Sequence, residues 1–354
     1  MNRKHSLLAL VVVMVLIIST AGYSQKPYRV GTTAANFLEI GIGSLGNAMG
    51  DAQVANVQDV SAIYWNPAGL AFLQRNEAVF SLQPWVIDIN HSFAGVGLVL
   101  PGIGTLAFGI TALGYGNIEV TNMTFQDGTG ESYSANEYAV AFSYGRKLVQ
   151  WFSFGATGKY INSTIWHMSA SALAVDLGVI VSTQFFSPTG DREDGMQIGM
   201  SISNYGGRMR YDGIDLMQPI DIAPDEEGNY RDVTGQFRLN SWELPLIFRI
   251  GFSINPIVID NQRLTVSVDA LHPNNNSESV NAGAQYALNV PGFGEFFIRG
   301  GYKGVFMDQS EYGPTFGGGV HMRIAPALGL KVDYAYRTIG VLGDVHSYTF
   351  GLMF

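Results

Sequence analysis

The chain contains no cysteine, so disulfides, zinc-thiolate sites, cysteine nucleophiles and a lipid anchor on cysteine are excluded. It is also poor in charge. Asp, Glu, Lys and Arg make up 14% of its 354 residues, against roughly 25% in ordinary soluble domains. A large soluble surface cannot be clothed with so few ions. Nor is there a long apolar run inside the chain. The only such stretch is Leu7 to Ile18, shorter than the ~20 residues a spanning helix needs, which excludes a helical membrane protein. Disorder is excluded by the same low charge together with the many aromatics. What is abundant is glycine, 43 residues, and aromatics, with 21 Phe, 17 Tyr and 5 Trp. That pairing points to many short strands joined by many turns.

Residues 1–24 have the form of an export signal. Arg3 and Lys4 precede the apolar run, and small residues follow at Ser19-Thr20-Ala21-Gly22, with cleavage expected after Ala21 or Ser24. Beyond residue 24, eighteen Lys and Arg face twenty-nine Asp and Glu. An acidic surface argues against nucleic acid as a partner.

From about residue 78 the period of the chain is two. Tyr138, Val140, Phe142 and Tyr144 alternate with Ala139, Ala141, Ser143 and Gly145; Leu330, Val332, Tyr334 and Tyr336 alternate with Lys331, Asp333, Ala335 and Arg337. Strand side chains change face at each residue, so every run has one large apolar face and one small or polar face. Fourteen such runs are expected, near 78–87, 92–100, 105–120, 136–148, 152–163, 168–184, 196–206, 241–254, 262–271, 279–288, 295–305, 313–324, 328–338 and 346–354. Connections after even-numbered runs are mostly short, and those at about 121–135 and 207–240 are long and polar. This is the pattern of an all-β, transmembrane antiparallel β-barrel with extracellular loops and both termini periplasmic.

Side-chain placement agrees with that expectation. Lys159, Asp176, Arg249, Asp269, Arg299, Lys331, Asp333 and Arg337 all fall on the small-residue face of their runs. Outward at mid-membrane a Lys or Arg would cost about 2–4 kcal/mol. The last strand carries Tyr348, Phe350, Leu352 and Phe354 on one face. A final strand ending in Phe resembles the C-terminal signal by which outer-membrane barrels are recognised by the insertion machinery.

Residues 25–77 do not alternate, and a small N-terminal plug is expected there, ahead of the barrel at 78–354. Asp59 to Ala71 suggests a short capped helix stopped by a turn at Asn66-Pro67. Asn66, Pro67, Ala68 and Gly69 are the expected plug motif, with Asn66 bonding backbone groups in the lumen.

Signals for chemistry are weak. Gly41, Gly43 and Gly46 form G-x-G-x-x-G, but no βαβ unit follows. Asp225-Glu226-Glu227 lacks the Asp-x-Asp spacing of a calcium loop. The six His are dispersed. No catalytic, cofactor-binding or metal residue is nominated, and no enzyme is expected.

The stretch Gly31 to Leu38, then Met49-Gly50-Asp51-Ala52, then Tyr64-Trp65-Asn66-Pro67-Ala68-Gly69-Leu70 resembles the N-terminal signature of the PorV/PorQ branch of FadL-like outer-membrane proteins. Lys331 to Tyr336 and His346 to Phe354 agree with it. The resemblance implies a bacterial outer-membrane component of the type IX secretion system, with secretion subunits and the C-terminal signal domains of cargo as partners. Resemblance to FadL-like proteins at large implies the alternative, uptake of hydrophobic small molecules.

Overall fold

The structure, a computed structural model, describes residues 29–228 and 232–354. The expected export signal at 1–24 lies outside the described residues. Fourteen long strands dominate: β1 Glu77–Pro84, β2 Asn90–Leu100, β3 Gly104–Glu119, β4 Ser132–Val149, β5 Phe152–Ile165, β6 Met168–Ser182 and β7 Gln197–Gly206 form the first half. The second half is β8 Ile247–Ile259, β9 Gln262–Pro273, β10 Ser279–Val290, β11 Gly294–Val305, β12 Pro314–Ala325, β13 Leu328–Thr338 and β14 Asp344–Met353. Each pairs antiparallel with its neighbour in sequence, and β14 also pairs with β1, Glu77 opposite Met353 and Leu82 opposite Tyr348. The sheet is a closed barrel, which leaves no unpaired edge for hydrocarbon to contact.

Alternation decides which way each strand faces. Phe142 and Phe350 are more than half exposed on the outside. All eight charged residues expected on the small face point inward, and Asp176, Asp269, Arg249 and Arg337 are fully buried. No helix among the described residues is long and apolar enough to cross a membrane; the strands form the wall instead.

Inside the wall runs the chain ahead of β1, as short helical pieces Asn36–Glu39, Ser44–Ala48, Ala62–Trp65 and Pro67–Phe72. The core of the molecule lies between this inner segment and the wall. Ile63, Trp65 and Leu70 pack with Val79, Phe93, Ala107 and Ala141; Phe37 and Leu38 pack with Leu113, Ala139 and Ile161.

Local details sharpen the expectations, and one is corrected, the start of the eighth strand. The helix expected from Asp59 with a stop at Asn66-Pro67 covers Ala62–Trp65. A residue before proline is pushed out of the helical region, Asn66 is extended at φ −163° and ψ 107°, and a separate helical piece, Pro67–Phe72, follows. The strand expected from 241 begins at Ile247, since Pro245 has no N–H for a ladder and Trp242 and Glu243 pair instead with Met209 and Thr33. Connections after even-numbered strands are mostly short, 183–196 being the exception, and the other long connections, 120–131 and 207–246, follow odd-numbered strands.

The barrel's own first and last residues share one end, here the turn end. The described chain, however, starts at the other, the loop end. Ala34 N–H donates to Glu243 O at 2.9 Å, and Asn275 Nδ2 donates to Thr33 Oγ1 at 2.9 Å. The expectation that both termini lie together therefore does not describe residues 29–35, because the inner segment traverses the lumen before β1 starts.

Candidate functional site

The inner segment and the wall touch at backbone distance. A Cβ on Gly155 would stand 2.2 Å from the carbonyl carbon of Pro67; on Gly199, 2.2 Å from Val54 O; on Gly283, 2.3 Å from Met49 O; on Gly301, 2.4 Å from Gly50 N. These glycines come from β5, β7, β10 and β11, so close approach recurs around the circumference. Sequence reasoning did not single out wall glycines. Their signal was present, as glycine on the inward positions of several strands.

Asn66 joins segment to wall. Its Nδ2 donates to Val54 O at 2.7 Å and to Val179 O of β6 at 3.1 Å, while Oδ1 accepts from Ala68 N–H at 3.1 Å. Pro67, Ala68 and Gly69 are buried, and a Cβ on Gly69 would meet Val57 O at 2.5 Å.

Towards β9–β14 the contacts are polar. Val54 N–H donates to Asp269 Oδ2 at 2.9 Å, Thr315 Oγ1 donates to Ala48 O at 2.9 Å, and Ser44 N–H donates to Thr349 Oγ1 at 2.8 Å. Asp51 pairs with Lys303 at 2.6 Å and with Arg337 at 3.2 Å; Asn47 bonds both Arg337 and Gln83. Burial alone would push the Asp51 carboxyl up. The Arg337 and Lys303 charges beside it outweigh that and hold it below the usual aspartate value. Within the wall, Lys159 pairs with Asp176 at 2.5 Å and Arg299 with Asp333 at 2.5 Å, and Lys331 pairs with Glu77.

The two ends of the lumen differ. At the turn end lie two polar cavities of about 520 and 700 Å³, lined by residues such as Gln58, Gln74, Asn289, Glu295, His321 and Lys331. At the loop end lies a cavity of about 90 Å³ among Glu39, Tyr64, Arg249, Asn281 and Lys303. The connection 207–246 at that end carries a small ladder, Met217–Ile220 with Val233–Gln236. It exposes Ile214, Met217, Ile222, Phe237 and Trp242.

On the outer face Tyr348, Phe350 and Leu352 line up along β14, and Phe354 follows the strand with its N–H donating to Asn76 O at 2.9 Å. Among the described residues no group of His, Asp or Glu is placed to hold a metal ion.

A family model described as type IX secretion system protein PorV matches residues 23–223. No curated protein matches the chain. Among solved structures the chain is similar to the toluene transporter TodX of P. putida, at TM-score 0.56 and 10% identity over 88% of this chain and 96% of that one. It is also similar to the toluene transporter TbuX of Ralstonia pickettii, at 0.52 and 12% over 88% and 97%. A Pseudomonas aeruginosa FadL homologue gives 0.51 and 10% over 88% and 97%. At such identities these likenesses show the fold, that of FadL-like outer-membrane barrels.

Proposed function

The chain belongs to the PorV family of type IX secretion system proteins, and from that premise we propose that this outer-membrane barrel receives exported proteins by their C-terminal signal domains at its loop end and passes them towards surface attachment. The family match over residues 23–223 carries this reading. Two features of the molecule support it. The apolar side chains of connection 207–246 offer a surface for a folded partner. The inner segment, touching the wall at β5, β7, β10 and β11, acts as a plug, so cargo is held outside the lumen rather than threaded through it. In this reading the turn end, with Glu77 and Phe354, faces the periplasm, and the Arg29 end faces outward.

Uptake of hydrophobic small molecules is the second reading, favoured by the shared fold. It would need an apolar path, whereas the turn-end cavities are walled by amides and charges. Affinity purification from detergent-solubilised outer membranes separates the two. Co-purified exported proteins or secretion subunits support the first. A co-purified lipid or hydrocarbon with no protein partner overturns it in favour of the second.

A further inference from the structure

Arg249 in β8 is 3% exposed, and among the described residues no ion pair within 4.0 Å joins its guanidinium. Buried charges in proteins are almost always paired, because an unpaired one loses its hydration without compensation. Arg249 has one hydrogen bond, from Nη1 to Ser203 Oγ at 2.9 Å, and its guanidinium lies 5.6 Å from the Tyr64 ring centre. Its Nε–H has no partner.

Two more donors on the same cavity share this condition. The Tyr64 hydroxyl and the Asn281 Nδ2 are buried without partners, and both residues are nine-tenths or more buried. All three side chains line the same loop-end cavity of about 90 Å³. Of the neighbouring charges, Asp51 also lines the cavity and is paired with Lys303 at 2.6 Å and with Arg337. Asp269 accepts from Val54 N–H through Oδ2, while its buried Oδ1 has no partner. Glu39 lines the cavity as well without pairing to Arg249. What remains is a cluster of three donors, one of them a fixed cation, that neither Glu39 nor Asp51, the two carboxylates lining the cavity, satisfies.

The geometry points to a carboxylate-binding pocket, with Arg249, Tyr64 and Asn281 donating to the two oxygens of a ligand's carboxylate. A guanidinium presents flat, forked donors that match that group, and two neutral donors complete its lone pairs. Ile247, Leu271 and Met307 also line the cavity and suit the carbon chain behind the carboxylate. The cavity lies beside connections 274–278 and 306–313, so the ligand enters from the loop end. This rests on the secretion reading only for the source of the acid, which is the end of a peptide there and a fatty acid in the uptake reading.

The test is calorimetric titration of the full chain in detergent with four probes: hexanoate, hexanamide, N-acetyl-triglycine and its C-terminal amide. At least one acid should bind saturably, and its amide should not. Arg249→Gln should weaken that acid by at least about tenfold. Tyr64→Phe with Asn281→Leu should weaken it less and keep the charge, which covers the case in which the Arg249 variant does not assemble. Hexanoate alone identifies a fatty acid as the source, and the peptide acid alone a peptide end. Equal binding of acid and amide, no saturable binding of either acid, or full affinity in a folded Arg249→Gln barrel would overturn the pocket. Acid binding that depends on Arg249 without co-purified exported protein would sink the secretion reading and leave the pocket standing. Co-purified cargo with no acid binding would do the reverse.

Discussion

The inner and outer faces of one strand obey different rules. On β5 the inward side chains each meet a particular partner. Ser143 Oγ lies 2.7 Å from Thr157 Oγ1, Lys159 pairs with Asp176, Ser163 Oγ lies 2.5 Å from Tyr211 Oη, and Gly155 leaves room for Pro67. The outward residues Phe154, Ala156 and Tyr160 need only be apolar, because the hydrophobic effect has no direction. The inside is therefore specified atom by atom, and the outside only by class. Substitutions of equal size should cost very different amounts on the two faces.

Removing part of the inner segment should break the contrast most strongly. Deleting residues 60–70 takes away Trp65 and Leu70, which pack against β1–β4, and Asn66, which is bonded to β6. Single-channel conductance in planar bilayers should rise. Unchanged conductance would show that the segment does not block the pore. Next is Asp51→Asn, which leaves Lys303 and Arg337 without their shared carboxylate. Breaking a buried pair costs about 3–5 kcal/mol, read as a lower urea midpoint in detergent. The fold lowers the Asp51 pKa, so its contribution is present above the unfolded value and is lost as pH falls through the folded one. The variant should lose that acid sensitivity. Gly155→Val comes third, at about 1–3 kcal/mol for forced overpacking, because its Cβ would stand 2.2 Å from backbone. A Val tolerated there at no cost would mean that the segment does not press on β5.

The difference between faces also explains what could be read from the sequence. The period of two places Lys159, Asp176, Arg249 and Arg337 inward without any knowledge of the fold, because face depends only on position along a strand. Partners are another matter. Asp51 meets Arg337 and Ser44 meets Thr349 across nearly the length of the chain, and no local pattern encodes such a pairing. The Arg249 pocket was hidden for the same reason, since Tyr64, Arg249 and Asn281 come from three distant segments. Asn66 was legible because an Asn-Pro turn is a local feature. The stop it makes in the helix was legible for the same reason, but the second helical piece after the turn, Pro67–Phe72, was not.

The smallest effect on stability is expected on the outer face, at Phe354. It is 46% exposed, and its side chain contributes at most roughly 1 kcal/mol of apolar burial. It follows the end of β14, where an outward charge costs about 0–1 kcal/mol rather than the full midplane penalty. Its hydrogen bond to Asn76 O uses the backbone N–H and survives any side chain. Phe354→Asp should therefore refold in detergent and remain heat-modifiable on gels, unlike the inward variants. If the terminal aromatic is what the insertion machinery recognises, the same variant should nevertheless reach the outer membrane of cells in much smaller amount. Normal assembly in cells would count against a recognition role for Phe354. Failure to refold in detergent would mean instead that this outward residue is as tightly specified as the inward ones, and the contrast between the faces would end before the last residue.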